Sequence, residues 1–264
     1  RESLRLIKVQ DGIELVQPKS KKYLTYDMKK YSQEILKDIS DIDGIILKGR
    51  SPSCGIKDAK VYSGMEKSPV IGKSMGLFAA EMEKHFPYLP IEEEGRLTNL
   101  IIREHFFTKL YAIFNFKKMA QNKSIKKLAD YHAKNKYLYF AYNQTLKNKL
   151  GSIVANHEKL ETNIVLDNYF NEMVKLFSNL PSKKNYINAY QHIFGYFFYF
   201  SSKEEKVFIL QLMEKYRDGK IDKSAIASIL KVYSIKYNIE YLLGQTIFEP
   251  FPEELLSLND SGKL

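Results

Sequence analysis

Cysteine, long apolar runs, arginine and acidic residues are all scarce in this sequence. There is one cysteine, Cys54, so no internal disulfide can form and a disulfide-stapled secreted fold is excluded. The same scarcity points to a reducing compartment, and a cytoplasmic location is expected. No run of 18 apolar residues occurs, so there is no candidate membrane span and no membrane partner is expected. No charged n-region followed by an apolar stretch opens the chain, so no secretory leader is visible. Arginine supplies only 6 of the 41 basic residues, and lysine the other 35. Acids number 31, which leaves a formal charge of +10 and favours a polyanionic partner such as nucleic acid.

What is present is a globular composition: 264 residues, 44% hydrophobic and 27% charged, enough for two domains with real cores. The charge is uneven. Residues 1–104 hold 18 basic and 16 acidic side chains, a net of +2, and residues 105–264 hold 23 and 15, a net of +8. Most of the excess falls in 105–157, where ten lysines face a single acid, Asp130. Such a run is either a solvated helix face or a partner surface.

The first hundred residues read as α/β. Leu4–Val9 and Ile13–Val16 are β-type runs joined by Asp11 and Gly12, a hairpin signal. Thr25 opens a helical pattern through Ile39. Gly44–Leu47 is wholly apolar, as expected of a strand buried on both faces. It ends in a loop, Lys48 to Gly55, broken by Pro52 and two glycines. The carboxyl edge of an α/β sheet is where ligands usually sit. Another helix is expected over Met75–Phe86. Thr98 is placed to cap a helix of about 99–119, and helical periodicity then continues over 124–150, 152–160, 163–179, 185–200, 203–217, 224–237 and 239–247. Ser202 and Glu205 form a capping box, and Gly219 is a stop signal. The expected architecture is an α/β part over 1–104, an incomplete three-layer sheet domain, followed by an all-helical part over 105–264.

Several motifs carry candidate chemistry. Gly72-Lys73-Ser74 resembles the end of a phosphate-binding loop, but Lys67 stands where that motif needs glycine, which rejects it. The five histidines have no zinc-ligand spacing. Cys54 is either a small buried hydrophobe or, with Arg50 and free loop N–H groups nearby, a thiolate for chemistry or metal. One cysteine alone cannot hold an iron–sulfur cluster. In the basic segment, Tyr131, Tyr137, Tyr139, Phe140 and Tyr142 lie among lysines, a pattern suited to unpaired bases and phosphates. The alternative is a core stripe, which Tyr131, Leu138 and Tyr142 can form, whereas Tyr137 and Tyr139 cannot both share its face. Asn188, Gln191, His192 and Gly195 form a polar stripe at helical spacing, which is either a hydrogen-bonded helix contact or a site.

These residues carry a resemblance. Ile45–Gly55, Gly76–Phe86 and Pro90–Leu97 resemble the thiouracil desulfidase-like domain. Tyr131, His132 and Lys136, the stretch Lys184–Tyr196, Tyr216 to Gly219, and Pro250 with Pro252 resemble the YbgA-like helical domain. The resemblance covers nearly the whole chain and implies a bacterial tRNA 4-thiouridine desulfidase. Such proteins hold a 4Fe–4S cluster on three cysteines, and the open iron takes sulfur from a thiocarbonyl. Cys54 matches one cluster ligand and Ser51 a serine that assists proton transfer, with Arg50 and Ser53 beside them. His132, Asn188, Gln191 and His192 match helical-domain positions. Lys117, Lys118, Lys123, Lys126, Lys127, Lys134 and Lys136, with Lys183 and Lys184, are the expected contacts to tRNA phosphates. The resemblance places two further cysteines and an acidic residue upstream of Arg1. The expectation is therefore a truncated chain that lacks the cluster and is inactive in this form. The alternative is a non-catalytic RNA-binding module.

Overall fold

The computed structural model describes residues 2–257 and 259–262. It divides into two compact units, Arg1–Leu110 with Ser257–Leu264, and Tyr111–Leu256.

In the first unit, strands β1 (Arg5–Val9) and β2 (Gly12–Gln17) form the expected hairpin, with Val9 opposite Gly12. Gly12 takes φ of +143°, which only glycine adopts readily. A mixed five-stranded sheet has the order β3-β2-β1-β5-β6, with β3 at Lys22–Tyr23, β5 at Ala59–Tyr62 and β6 at Val70–Ser74. Only β1 and β5 pair in parallel there. Gly72, Lys73 and Ser74 lie in β6, an edge strand rather than a phosphate loop. Leu6, Leu15, Ala59 and Val61 make the core of this sheet.

A separate parallel ladder joins β4 (Ile45–Leu47) to β7 (Ile91–Glu93). Helices α1 (Thr25–Asp38) and α2 (Leu77–His85) pack on one of its faces through Leu36, Ala79 and Met82. β4 is not buried on both faces as expected: Ile45 and Leu47 point into that core, while Ile46 is 55% exposed. The period of two in a strand explains this, because helices cover one face of a two-stranded ladder and leave the other side chain in solvent. Helix α3 spans Leu100–Ala120. Its start is capped by Asn99, whose Oδ1 accepts from the Ile102 N–H at 3.0 Å, and not by Thr98, which instead donates to the Gly95 carbonyl. Residues after the helical unit return to this helix start. Asp260 accepts from the Leu100 N–H at 2.9 Å, and the Arg103 guanidinium donates to the carbonyls of Ser257 and Asn259.

The second unit is helical, with α4 (Ile125–Tyr142), α5 (Gln144–Ala155), α6 (Thr162–Leu176), α7 (Lys183–Gly195), α8 (Lys203–Arg217), α9 (Lys223–Lys236) and α10 (Glu240–Leu243). The pattern over 124–150 is broken at Asn143, whose backbone is extended (φ −159°, ψ 112°). Asn143 ends α4 and caps α5, accepting from the Leu146 N–H at 3.0 Å. The helical pattern over 185–200 also ends early, at Gly195, and a 3₁₀ turn follows at Phe198–Phe200. The expected 239–247 helix shrinks to one turn. The Ser202–Glu205 capping box forms, and Gly219 at φ +76° stops α8. α4 is the centre of the core. Tyr137 through Tyr142 are all buried, against α5, α6 and α7, so the helix has no solvated face over its last turns. Those aromatics therefore do not stack on bases. Tyr139 donates to the Tyr131 hydroxyl at 3.0 Å, and Tyr131 donates to the Ala112 carbonyl at 2.8 Å, which is how buried hydroxyls are satisfied.

Candidate active site and basic surfaces

The Cys54 loop leaves the carboxyl end of β4, as the sequence pattern predicts, and turns tightly over Lys48–Gly55. Ser51, Ser53 and Cys54 converge. The Ser51 and Ser53 hydroxyls are 2.9 Å apart, and the Ser53 Oγ is 3.3 Å from the Cys54 Sγ. The Ser51 Oγ also accepts from the Ser53 and Cys54 N–H groups at 3.3 Å each. This is a continuous line of hydroxyls ending on a half-buried thiol. Such a line can carry a proton to or from a group bound at the sulfur.

Most N–H groups of the loop have acceptors within it or beside it. Gly49 donates to Glu94 and Arg50 to Asp58, both at 2.7 Å, Gly55 donates to the Ser51 carbonyl at 2.8 Å, and Ile56 donates to Glu93. The Arg50 guanidinium, with an 88% exposed side chain, lies 3.8 Å from Asp58. Carboxylates, a carbonyl and the Ser51 hydroxyl thus take the N–H groups of Gly49, Arg50, Ser53, Cys54, Gly55 and Ile56. Lys48 and the Gly49 N–H hold the Glu94 carboxyl below its usual range. Arg50 itself takes φ of +59°, an uncommon conformation for a side-chain-bearing residue.

Two further residues fix the loop, and the sequence reading did not single them out. Glu93 is only 3% exposed and lies directly behind the loop. Its partner Leu47 in the parallel register is the residue from which the loop departs. Gly76 lies against the loop from the start of α2. A Cβ there would sit 2.4 Å from the Ser53 carbonyl carbon and oxygen and 2.7 Å from the Cys54 nitrogen, so only glycine fits. The one available signal for Glu93 was the run Glu92–Glu94 directly after an apolar strand.

Cys54 is the only cysteine, and among the described residues no group of three or more His, Cys, Asp or Glu side chains can hold a metal ion. An iron–sulfur cluster takes three or four thiolates, so the donor set of this chain does not fit one.

The expected RNA-contacting lysines form two groups. Lys117 and Lys118 end α3, Lys123 lies in the connection, and Lys126 and Lys127 open α4, so these five gather at one helical corner, with Lys134 and Lys136 further along α4. Lys183 and Lys184 open α7. α4 and α7 run antiparallel: Asn185 donates to the Tyr142 carbonyl, His192 packs edge-on against Phe140, and Tyr137 meets Tyr196. Sixteen residues of helix separate Lys126 from Tyr142, about 24 Å at 1.5 Å per residue. The structure therefore puts Lys183 and Lys184 at the opposite end of the pair from the corner group. Both helix starts carry lysines and no acid, although the helix dipole disfavours cations there.

His132 and the polar stripe do not meet at a site. The His132 Nδ1 lies 3.0 Å from the Tyr169 hydroxyl. Burial, with Lys147 and Lys136 nearby, pushes its pKa down to about 4. Gln191, His192 and Gly195 face solvent and Asn188 is half-buried, so the stripe carries no burial cost. Among the described residues no helix is long and apolar enough to cross a membrane.

Comparison with known proteins gives three findings. Residues 1–94 match the family described as 2-thiouracil desulfurase. Residues 136–252 match a family described as protein of unknown function, DUF1722. The chain is 30% identical over 141 residues to the uncharacterized protein YbgA of Escherichia coli (strain K12), covering 52% of this chain and 81% of that protein. No solved structure matches.

Proposed function

Because the chain belongs to the YbgA family and carries a 2-thiouracil desulfurase domain ahead of its YbgA-like helical part, we propose that it serves the removal of sulfur from thiolated uracil in tRNA. The observation that carries the reading is the Ser51–Ser53–Cys54 line at the carboxyl end of β4, inside the matched desulfurase segment. In this reading Cys54 would be one thiolate ligand of a 4Fe–4S cluster whose other ligands are not among the residues of this sequence. Ser51 and Ser53 hold the proton line beside it. The residues of this sequence supply one of the three or more thiolates that such a cluster takes.

The RNA part of the proposal draws support from the lysines placed at helix starts against the dipole, and from the net charge of +10. The thiolated base is held within the tRNA stack, so reaching Cys54 requires it to leave that stack. The single-thiolate donor set equally favours a second reading, a non-catalytic RNA-binding module.

The test uses protein reconstituted with iron in the absence of oxygen and supplied with the missing thiolate ligands on the same polypeptide. Loss of 4-thiouridine absorbance from tRNA is expected. Unchanged absorbance sinks the desulfidase reading, and salt-dependent tRNA binding without it leaves the binding module. A cluster that survives Cys54→Ala refutes the ligand assignment.

A further inference from the structure

The aromatic rings that the sequence pattern offered to bases are buried, but another set is not. In the turn after α7, Tyr199 is 90% exposed, Phe200 66% and Phe198 41%. Three consecutive large rings in solvent are costly for a surface that only faces water. They are also held in place. Phe197, fully buried, stacks on Tyr237 at 6.0 Å and packs on Tyr233. The Ser201 hydroxyl donates to the Phe197 carbonyl at 3.0 Å, and the Tyr237 hydroxyl donates to the Phe200 carbonyl at 3.0 Å. A 3₁₀ turn has three residues per revolution, so its successive side chains fan outward.

Cations frame the rings. The Lys206 Nζ lies 4.5 Å from the Phe198 ring centre, and the Lys236 Nζ lies 5.2 Å from that of Tyr237, itself against Phe200. The nearby acids are engaged: Glu205 closes the capping box with Lys236 3.7 Å away, and Glu204 accepts from the Ser202 hydroxyl. Because α4 and α7 are antiparallel, the carboxyl end of α7, where this turn begins, reaches the middle of α4, with Tyr196 against Tyr137. Lys134 and Lys136 stand just past the middle of α4, the latter over the Tyr137 ring, and Lys126 and Lys127 lie in its first turn.

We propose that Phe198, Tyr199 and Phe200 form a stacking platform for unpaired bases of an RNA whose backbone runs along the lysines at this end of the helical unit. The proposal rests on the RNA reading above and adds the surface and the single-stranded character of what binds there. Rings accept any base through their faces, and flanking lysines bind phosphate without reading sequence. A purely protein-binding patch has no use for the adjacent basic end, and a duplex has no free base to stack.

The sequence contains no tryptophan, which makes the test direct. Tyr199→Trp places the only indole of the chain on the platform, and its fluorescence is expected to quench when a single-stranded uridine-rich RNA is added, much less so with duplex RNA of equal length. Tyr199→Ala, at a position too exposed to disturb folding, is expected to weaken single-strand binding about tenfold with an unchanged salt slope. Lys206→Ala is expected to make that slope shallower by about one. Single-strand binding that Tyr199→Ala leaves intact while lysine substitutions weaken it overturns the platform but keeps the RNA reading. Absence of binding to either RNA at low salt overturns both. Quenching by anionic lipid vesicles but not by RNA assigns the rings to a membrane surface and overturns the platform.

Discussion

Acid should unfold the helical unit through His132, and the size of the effect follows from its surroundings. The ring is largely buried beside Tyr169, with Lys147 and Lys136 near, and its pKa falls from 6.5 to about 4. A depressed value means the fold prefers the neutral ring, so the unfolded chain takes up the proton first. Stability from this group is therefore present above pH 6.5 and is lost as pH falls from there toward about 4. At 1.36 kcal/mol per pH unit, the full gap is worth about 3 kcal/mol, of which about 2 kcal/mol is gone by pH 5. The comparison is urea denaturation of wild type and His132→Gln at pH 7 and pH 5, followed by far-ultraviolet circular dichroism. The variant should be less stable at pH 7 but should lose about 2 kcal/mol less on acidification. His105, pushed to about 4 by burial with Lys109 nearby, titrates in the other unit in both proteins, so the difference removes it. An equal loss in the two proteins refutes the assignment.

Two further outcomes concern the loop. Gly76→Ala drives a methyl into the Ser53 and Cys54 backbone; it should cost about 1–3 kcal/mol and speed labelling of Cys54 by a thiol reagent, and an unchanged labelling rate counts against the close packing. Glu93→Gln offers the Ile56 N–H an uncharged acceptor, whereas Glu93→Ala leaves it without one; the alanine change should cost about 1–3 kcal/mol and the glutamine change clearly less, as read by denaturant midpoints.

The parts of the fold legible in the sequence are those set by neighbours in the chain. Asp11 and Gly12 mark the hairpin, Ser202 and Glu205 the start of α8, and Gly219 its end, because each acts within a few residues. The break at Asn143 was hidden because no proline or glycine marks it. The burial of Tyr137 and Tyr139 was hidden for a different reason. Two residues that cannot both share the face of Tyr131, Leu138 and Tyr142 are nonetheless both buried, because a helix enclosed by three others has no outside. The candidate site divides the same way. Ser51, Ser53 and Cys54 are adjacent in sequence and could be named. Glu93 binds Ile56 across 37 residues, and only the register of β4 on β7 brings them together.

Synthesis on the ribosome gives the return of residues 259–261 to the start of α3 an added meaning. The first unit is interrupted by the whole helical unit and resumes at Ser257. Until Asp260 emerges, the Leu100 N–H lacks the carboxylate that caps it, and until Ser257 and Asn259 emerge, the Arg103 guanidinium lacks two of its carbonyls. The α/β unit is thus begun first and finished last. A nascent chain halted anywhere in the helical unit has made α3 but not the residues that complete its start.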